Sequence, residues 1–254
     1  MNVIELDNVT KIYRRSHLGR VTETLAVRGL SLEIKRGEVF GLLGLNGSGK
    51  TTTIKLLLGL LRATTGTVRV LGNLMPDLRV LESVGYLPEA AYLNRSLTGR
   101  EAVSLFATLS HIPKMKRKAT VTQILQNVGM TAAADRRIGD YSKGMLQRIG
   151  MAQALVHQPE LVIFDEPITG LDPLAVKEIR QLVAWLKSQG KTVFLSSHDI
   201  SEVEKVCDRI AILAGGRLAT VVEQSQWRGQ EGRLEELFAS TVKRSENIGS
   251  LQFS

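Results

Sequence analysis

One segment constrains the fold of this chain more than any other: residues 44–51 read GLNGSGKT. The segment follows an apolar run at 39–43 and leads into a helix-forming run at 52–58. Glycines allow backbone N–H groups to close around an anion, and the start of the following helix adds the positive end of its dipole. The alternative is a glycine turn before an ordinary helix. The complete pattern between a strand and a helix favours a phosphate-binding loop for a nucleotide.

The residue types in this loop match the chemistry of a bound nucleotide. We expect Lys50 to reach the β- and γ-phosphates and the Thr51 hydroxyl to ligate Mg²⁺. The predicted nucleotide-binding residues of the loop and the following helix are Asn46, Gly47, Ser48, Gly49, Lys50, Thr51 and Thr52.

The composition limits the classes of protein that this chain can be. With 254 residues, 43% of them hydrophobic, we expect one large α/β domain or one domain with a smaller subdomain. Cys207 is the only cysteine, so the sequence predicts neither a disulfide framework nor a thiolate metal site, and it fits a reducing compartment. The acidic start lacks the pattern of a signal sequence, and no stretch reaches the ~20 apolar residues that span a bilayer. The chain is therefore not expected to cross a membrane unaided.

The net charge of +8 leaves the choice of partner open. Only 5% of the residues are aromatic, and none interleaves with the basic clusters, so solvated faces are favoured over a nucleic-acid groove. A position beside an anionic membrane leaflet would also suit such clusters. The densest groups are Lys11, Arg14, Arg15 and Arg20, and Lys114, Lys116, Arg117 and Lys118.

Hydrophobic periodicity divides the chain into an α/β part and a helical part. Alternation predicts strands at 3–6 and 25–34, and shorter strands follow at 65–72 and 83–88. Residues 98–158 keep helical spacing instead, with Thr98 and Glu101 as a capping box at their start. From residue 159 strands and helices alternate again. Strands are predicted at 161–164 and 192–197, helices at 173–188 and 234–238, and a hairpin at 210–213 and 217–222.

This order of elements predicts an α/β fold with a mainly parallel sheet. We expect an N-terminal antiparallel β subdomain and an inserted α-helical subdomain. For a single domain over residues 1–240, the predicted boundaries are an α/β core at 1–97 and 159–222 and a helical insert at 98–158. Residues 223–254 are predicted to form a C-terminal helix and a polar tail.

Two acidic residues follow a buried strand of the predicted core. Asp165 and Glu166 come directly after the apolar run 161–164, at the edge of an open α/β sheet where ligands bind. Asp165 can hold Mg²⁺ through a water molecule, and Glu166 is placed to polarise the water that attacks a phosphate. Alone, such a pair fits an ordinary turn equally well. Together with the phosphate-binding loop it indicates an active site.

Further motifs agree with a known family. They are YSKGM at 141–145, the run LQRIGMAQAL at 146–155, TGLDP at 169–173, His198 after LSS at 195–197, and Tyr13. With these motifs, about residues 1–240 resemble the ATP-binding subunits of ATP-binding-cassette (ABC) transporters. The resemblance implies a P-loop NTPase core that binds and hydrolyses ATP with Mg²⁺. It also places Tyr13 on the adenine base.

The same resemblance assigns the catalytic roles. Lys50, Glu166 and His198 are the implied catalytic residues, and His198 would contact the γ-phosphate and orient Glu166. Ser142 and Gly144, expected just before a helix, would bind the γ-phosphate of ATP held by a second subunit.

The metal and partner expectations also follow from the family. Thr51, Glu89 and Asp165 are the implied Mg²⁺ ligands. Two chains, identical or homologous, would pair head to tail around two composite sites. Membrane-spanning subunits would dock near residues 85–105, which places the chain peripherally on the cytoplasmic face of the membrane. No nucleic acid is expected as a partner.

The chain departs from the family pattern at three positions. Glu89 stands where the family has glutamine. The segment YSKGM at 141–145 stands at the family's signature motif, in which Lys143 replaces the first glycine and Met145 replaces the glutamine. The Lys143 side chain could face away from the partner's nucleotide or add a positive charge beside it. These variants are similar to those of exporters whose membrane and ATPase parts are separate chains. The alternative to transport is a soluble cassette ATPase that acts on nucleic acid or ribosomes.

Overall fold

The structure is a computed structural model that describes residues 1–17, 20–230 and 232–250. The chain forms two compact units, the first from Met1–Val80 and Phe194–Ser254 and the second from Leu81–Val193. In chain order the elements are β1 (Asn2–His17), β2 (Arg20–Lys35), β3 (Val39–Leu43), α1 (Lys50–Leu57), β4 (Thr65–Val70), β5 (Asn73–Leu74), β6 (Val84–Leu87), α2 (Gly99–Leu109), α3 (Lys114–Asn127), α4 (Lys143–Leu155), β7 (Leu161–Phe164), α5 (Pro173–Ser188), β8 (Thr192–Ser197), α6 (Ile200–Val206), β9 (Arg209–Ala214), β10 (Arg217–Glu223) and α7 (Arg233–Ser250).

The first unit contains an antiparallel sheet with the strand order β2-β1-β4-β5. The long pairing of β1 with β2 includes Tyr13 opposite Thr24 and Arg14 opposite Glu23, whose side chains form an ion pair of 2.7 Å. One face of the sheet is buried, and Ile4, Leu6 and Val27 are among its buried side chains. This sheet is the N-terminal antiparallel subdomain that the sequence predicts.

The same unit holds the strand that leads into the phosphate-binding loop. β3 is buried at every residue and runs parallel to β9, which pairs with β10 in an antiparallel hairpin. At the end of β3, Gly44 N–H donates to the Ser197 carbonyl oxygen across 3.2 Å. Strands covered on both faces read as continuous apolar runs, which explains why the sequence reveals β3 so clearly.

The second unit combines a strand pair with helices. β6 and β7 are parallel, from Val84 opposite Leu161 to Leu87 opposite Phe164. Helices α2, α3 and α4 pack together, and α5 buries one face through Ala175, Val176, Ile179, Leu182, Val183 and Leu186. The predicted helical insert is therefore present between Gly99 and Leu155.

The predicted capping box begins helix α2. The Thr98 hydroxyl accepts the Glu101 N–H across 3.2 Å, and the Thr98 N–H donates to Glu101 Oε2 across 2.8 Å. Both bonds satisfy N–H groups that a helix start otherwise leaves unpaired. Both hydrogen bonds of the predicted capping box are therefore present.

Three element predictions are wrong in extent. The strands predicted at 3–6 and 25–34 are parts of a hairpin that continues to His17 and Arg20, because cross-strand pairs stabilise a segment that reads as charged and irregular. The helix predicted at 234–238 extends over Arg233–Ser250, since polar residues continue a helix whose first turns are packed. Helix α6 has no counterpart among the predicted elements.

Several expectations concern the surface and the termini. Arg14, Arg15 and Lys116 are exposed. The Arg20 side chain and the predicted tail end at 251–254 lie outside the described residues. None of the described helices is long and apolar enough to span a bilayer.

Candidate active site

The phosphate-binding loop connects β3 to α1 in the predicted way, and its shape depends on glycine. Gly49 has φ of +105°, a conformation that side chains rarely allow. A Cβ atom at Gly49 would lie 2.6 Å from the Ala26 carbonyl oxygen, so no larger residue fits without movement of the backbone. The Thr53 N–H then donates to the Gly49 carbonyl oxygen across 2.9 Å and continues the helix.

Lys50 and Ser48 turn polar groups toward this loop. Lys50 Nζ donates to the Gly44 carbonyl oxygen across 2.7 Å and to the Leu45 carbonyl oxygen across 3.3 Å. The Ser48 hydroxyl oxygen is buried and has no hydrogen-bond partner. Buried hydroxyls are nearly always bonded, so an unpartnered one in a glycine loop fits a site for a phosphate oxygen.

The remaining residues predicted in the loop lie at its surface and at the start of α1. Asn46 and Gly47 are exposed, and so is Thr51, the second residue of α1. Thr52 is half-buried, and its Oγ1 lies 3.4 Å from the Tyr13 hydroxyl oxygen. Tyr13 therefore reaches the helix that follows the phosphate-binding loop.

A lysine that sequence reasoning gave no role covers the Tyr13 ring. Lys11 Nζ lies 5.6 Å from the ring centroid, and it donates to the Arg62 carbonyl oxygen across 2.8 Å. A cation over an aromatic face is attracted by the ring quadrupole. The signal in the sequence was the i, i+2 spacing of Lys11 and Tyr13, which puts both on one face of a strand.

His198 follows β8 directly and is exposed. The preceding residue, Ser197, accepts the Gly44 N–H with its carbonyl oxygen, which places His198 one residue from a strand end bonded to the phosphate-binding loop. In the first unit, Tyr13, the loop and the end of β8 are thus brought into one neighbourhood.

The acidic pair lies in the second unit, at the end of β7 as predicted. Asp165 is 2% exposed and Glu166 6% exposed. The Asp165 N–H donates to the Leu87 carbonyl oxygen across 2.9 Å, at the end of β6. Burial, together with the negative charge of Asp165, raises the pKa of Tyr86 to about 12, so its phenol stays protonated near neutral pH.

Glu166 has an uncommon backbone conformation and a side-chain partner. Its φ is +50°, which is rare for a residue other than glycine. Thr169 Oγ1 donates to Glu166 Oε2 across 3.0 Å. Sequence reasoning placed Thr169 in a motif without a role. The position of Thr169, three residues after Glu166 and just beyond Pro167, was the sequence signal for a turn that brings the two residues together.

Glu89, predicted as a metal ligand, follows β6 and is exposed. The bond from Asp165 to Leu87 brings the end of β7 beside the strand that leads to Glu89. Glu89 and Asp165, the two predicted carboxylate ligands, therefore follow the carboxyl ends of two neighbouring parallel strands, β6 and β7.

The signature residues begin helix α4. Ser142 is the N-cap, and its Oγ accepts the Met145 N–H across 3.3 Å. The expectation that Gly144 precedes the helix is wrong: Gly144 lies in the first turn of α4, where a Cβ atom would come within 3.0 Å of Ala175 Cβ. Helices tolerate glycine where another element approaches this closely.

Lys143 lies beside a glycine of its own chain. Its Nζ would be 2.5 Å from a Cβ atom placed on Gly170, which has φ of +68°. The structure places this exposed lysine beside the loop that follows Glu166.

Comparison with known proteins agrees with this geometry. The ABC transporter family model matches residues 27–169. An ABC transporter ATP-binding protein of Synechocystis sp., sll0415, is 45% identical over 85% of this chain and 62% of its own length. The bacitracin transport ATP-binding protein BcrA of Bacillus licheniformis is 37% identical over 85% of this chain and 68% of its own length.

A solved structure supports the fold directly. The ATP-binding cassette MJ0796, a dimer in a post-hydrolysis state bound to ADP and Pi, superposes with a TM-score of 0.78. It is 26% identical, and the match covers 87% of this chain and 98% of the other.

The chain belongs to the ABC transporter family, and the relatives named above are ATP-binding proteins of that family. The predicted family and the predicted fold class, a P-loop NTPase core with an antiparallel N-terminal sheet and a helical insert, are both confirmed. The matched part spans 62% of the first of these relatives.

Proposed function

We propose that this chain binds and hydrolyses ATP to power transport across a membrane. The observation that carries the proposal is the phosphate-binding loop, where Lys50 Nζ folds over the loop carbonyls and the buried Ser48 hydroxyl lacks a partner. A phosphate oxygen offers the acceptor that such a hydroxyl requires. Family membership, and the structural neighbour bound to ADP and Pi, support the same reading.

In this proposal the first unit binds the nucleotide. The N–H groups of Gly47 and Gly49 donate to phosphate oxygens, and the Lys50 ammonium neutralises their charge. Asn46, Thr51 and Thr52 complete the phosphate end. Tyr13 stacks on the adenine base with the ring face that Lys11 leaves uncovered, and His198 contacts the γ-phosphate.

The acidic residues carry the hydrolytic step. Phosphoryl transfer requires positioning and charge stabilisation more than covalent chemistry. Glu166 orients the attacking water and polarises its O–H bond. Ser142 and Gly144, at the start of α4, act on the γ-phosphate of ATP bound to a second subunit, because helix starts attract anions.

The oxygen donors present fit Mg²⁺. Thr51, Asp165 and Glu89 would hold the ion through hydroxyl and carboxylate oxygens, the ligands that this hard cation prefers. In the described part of the chain, no cluster of three or more histidine, cysteine, aspartate or glutamate residues offers a different metal site. When bound, Mg²⁺ supplies positive charge to the β- and γ-phosphates.

We further propose two kinds of partner. A second copy, or a homologous ATPase subunit, completes the composite sites, in keeping with the dimeric structural neighbour. Membrane-spanning subunits dock on the second unit, where Leu105 and Leu109 lie one turn apart on α2 and are 47% and 62% exposed. Tyr92, in the predicted docking segment 85–105, is also exposed.

The proposal places the chain peripherally on the cytoplasmic face of a membrane. Outward transport is the proposed direction, because the signature variant resembles that of exporters with separate ATPase chains. The relative BcrA carries the name of a bacitracin transport protein.

Phosphate release by the purified chain with Mg·ATP tests the proposal. Lys50→Met should abolish ATP binding and release, because it removes the ammonium and keeps the side-chain length. Lys55→Met, at an exposed site on the same helix, should leave both intact. Equal activity of wild type and Lys50→Met would overturn the assignment of the loop. Stimulation by nucleic acid, with no co-purifying membrane subunit, would overturn the transport role.

A further inference from the structure

The Glu166 carboxylate is held by a residue that no motif assigns to it. Thr169 Oγ1 donates to Glu166 Oε2 across 3.0 Å, and the Thr169 N–H donates to the Glu166 carbonyl oxygen across 3.3 Å. Thr169 therefore contacts both the side chain and the backbone of the same residue. Two bonds between one pair of residues fix their relative orientation more closely than either alone.

The backbone between the two residues is preset for this contact. Glu166 has φ of +50°, and the next residue is Pro167, whose ring fixes its own φ. The left-handed conformation of Glu166 turns the chain sharply after the strand. This turn brings the backbone of Thr169 close to the Glu166 carboxylate, so the Thr169 hydroxyl lies within hydrogen-bonding distance of it.

The far side of the loop is also held. Gly170 has φ of +68°, and Lys143 Nζ occupies the space beside it. Two residues later, the Asp172 carboxylate accepts the N–H groups of Leu174 and Ala175, each across 3.0 Å, and begins helix α5. Thr169 thus lies in a loop anchored at both ends, a condition for accurate positioning of a catalytic group.

We propose that Thr169 is a positioning residue for ATP hydrolysis. Its hydroxyl holds the Glu166 carboxylate in the orientation from which Glu166 polarises the attacking water. The inference rests on the proposed role of Glu166 and adds a residue that acts only through it. Threonine suits this task for two reasons. Its branched Cβ restricts the χ1 angle, and its hydroxyl has one proton to donate.

The test compares two substitutions in the full-length chain. Thr169→Val keeps the shape and removes the donor, and we expect kcat to fall about tenfold, a part of the 10²–10⁴ that a positioned base contributes. KM and the affinity for a fluorescent ATP analogue should stay unchanged. Thr169→Ser restores the hydroxyl and should recover most of the lost kcat.

A matched control separates positioning from stability. Thr122→Val makes the same change at an exposed position of helix α3 in the same unit, where Thr122 Oγ1 donates to the Lys118 carbonyl oxygen. We expect it to leave kcat unchanged. Melting temperatures of the three variants show whether any loss of kcat follows loss of fold. A Thr122→Val enzyme as slow as Thr169→Val would overturn the inference.

A double variant tests whether Thr169 acts through Glu166. In a Glu166→Gln background, single-turnover rates should not fall further when Thr169→Val is added. An equal tenfold loss in that background, or wild-type kcat in Thr169→Val alone, would overturn the role of Thr169 while leaving that of Glu166. Full activity of Glu166→Gln alone would overturn both.

Discussion

The phosphate-binding loop of the first unit and the acidic loop of the second place their functional groups by different means. From residue 44 to 49, glycine conformations shape the backbone, and backbone N–H donors are among the groups proposed to bind a phosphate. From Asp165 to Asp172, side chains hold one another, as Thr169 holds Glu166 and Asp172 caps a helix.

This difference predicts which property each region controls. Backbone donors are present in every variant that keeps the loop shape, so changes in that loop act through geometry and should alter nucleotide binding. Replacing a carboxylate by an amide removes its charge and its ability to accept a proton while its shape is kept. Such conservative changes in the acidic loop should therefore lower ATP turnover and leave ATP binding unchanged. Variants from both regions therefore test whether binding and turnover are controlled separately.

The largest expected effect is on turnover. Glu166→Gln should lower kcat about 10²–10⁴-fold while ATP binding stays intact, because the amide cannot accept a proton from water. Phosphate release and equilibrium nucleotide binding measure the two properties separately. Glu235→Gln, at an exposed position of α7, is the matched control and should retain full activity. Weakened binding in Glu166→Gln would contradict the division between the two loops.

The next effect is on binding. Gly49→Ala forces a Cβ atom to within 2.6 Å of the Ala26 carbonyl oxygen at φ of +105°, so the loop must shift. Because a displacement of about 1 Å can cost 10²-fold in a positioned site, we expect ATP affinity to fall by about that factor.

The matched control is another glycine with positive φ. Gly37 has φ of +81°, and a Cβ atom there would meet nothing within 4 Å. Gly37→Ala should therefore lower stability by about 1–2 kcal/mol through backbone strain alone and leave ATP affinity unchanged. If both alanine variants bind ATP normally, the close approach at Gly49 does not shape the site.

The same contrast explains what the sequence could and could not predict. The phosphate-binding loop was predictable because glycine spacing and an apolar strand are local signals, and β3 and α1 lie where they were expected. The Thr169–Glu166 bond depends on the left-handed conformation of Glu166. A glutamate in the sequence does not predict a left-handed conformation, so Thr169 could not be identified from spacing alone as the partner of the Glu166 carboxylate.

Other differences have related causes. Gly144 was expected before the helix, yet Ser142 caps α4, so the helix begins at Lys143, two residues earlier than the motif suggests. The contact of Lys11 with Tyr13 needed the true length of β1, which polar residues concealed. Local patterns thus predicted elements and motif positions, while side-chain contacts between elements required coordinates.

Tyr13 offers a smaller effect within the binding region. Tyr13→Ala should raise KM for ATP about tenfold, since base stacking on an aromatic ring contributes about 1–3 kcal/mol. Lys11→Met should raise it only about twofold to fivefold, because a cation over a ring contributes about 0.5–1 kcal/mol. Tyr92→Ala removes an exposed tyrosine of the second unit and serves as the control. A fall in kcat at saturating ATP would place Tyr13 outside the binding role.

The smallest effect lies in neither loop and concerns stability alone. Removing the helix cap with Thr98→Ala should cost about 1 kcal/mol in the free energy of unfolding, measured by urea denaturation. Thr120→Ala, within helix α3, removes a hydroxyl that has no capping role and should cost less. Neither variant should change kcat or KM, because the cap touches no residue assigned to ATP.

The acidic partner of this cap adds a dependence on pH. The Thr98 backbone N–H, and then its side chain, hold the pKa of Glu101 below its usual 4.5. A depressed carboxyl pKa stabilises the fold fully above the unfolded value, and this contribution is lost as pH falls through the lower folded value. The stability gap between wild type and Glu101→Gln should therefore be widest at neutral pH and narrow below about pH 4.5. A gap that stays constant from pH 7 to pH 4 would mean that the carboxylate charge plays no part in the cap.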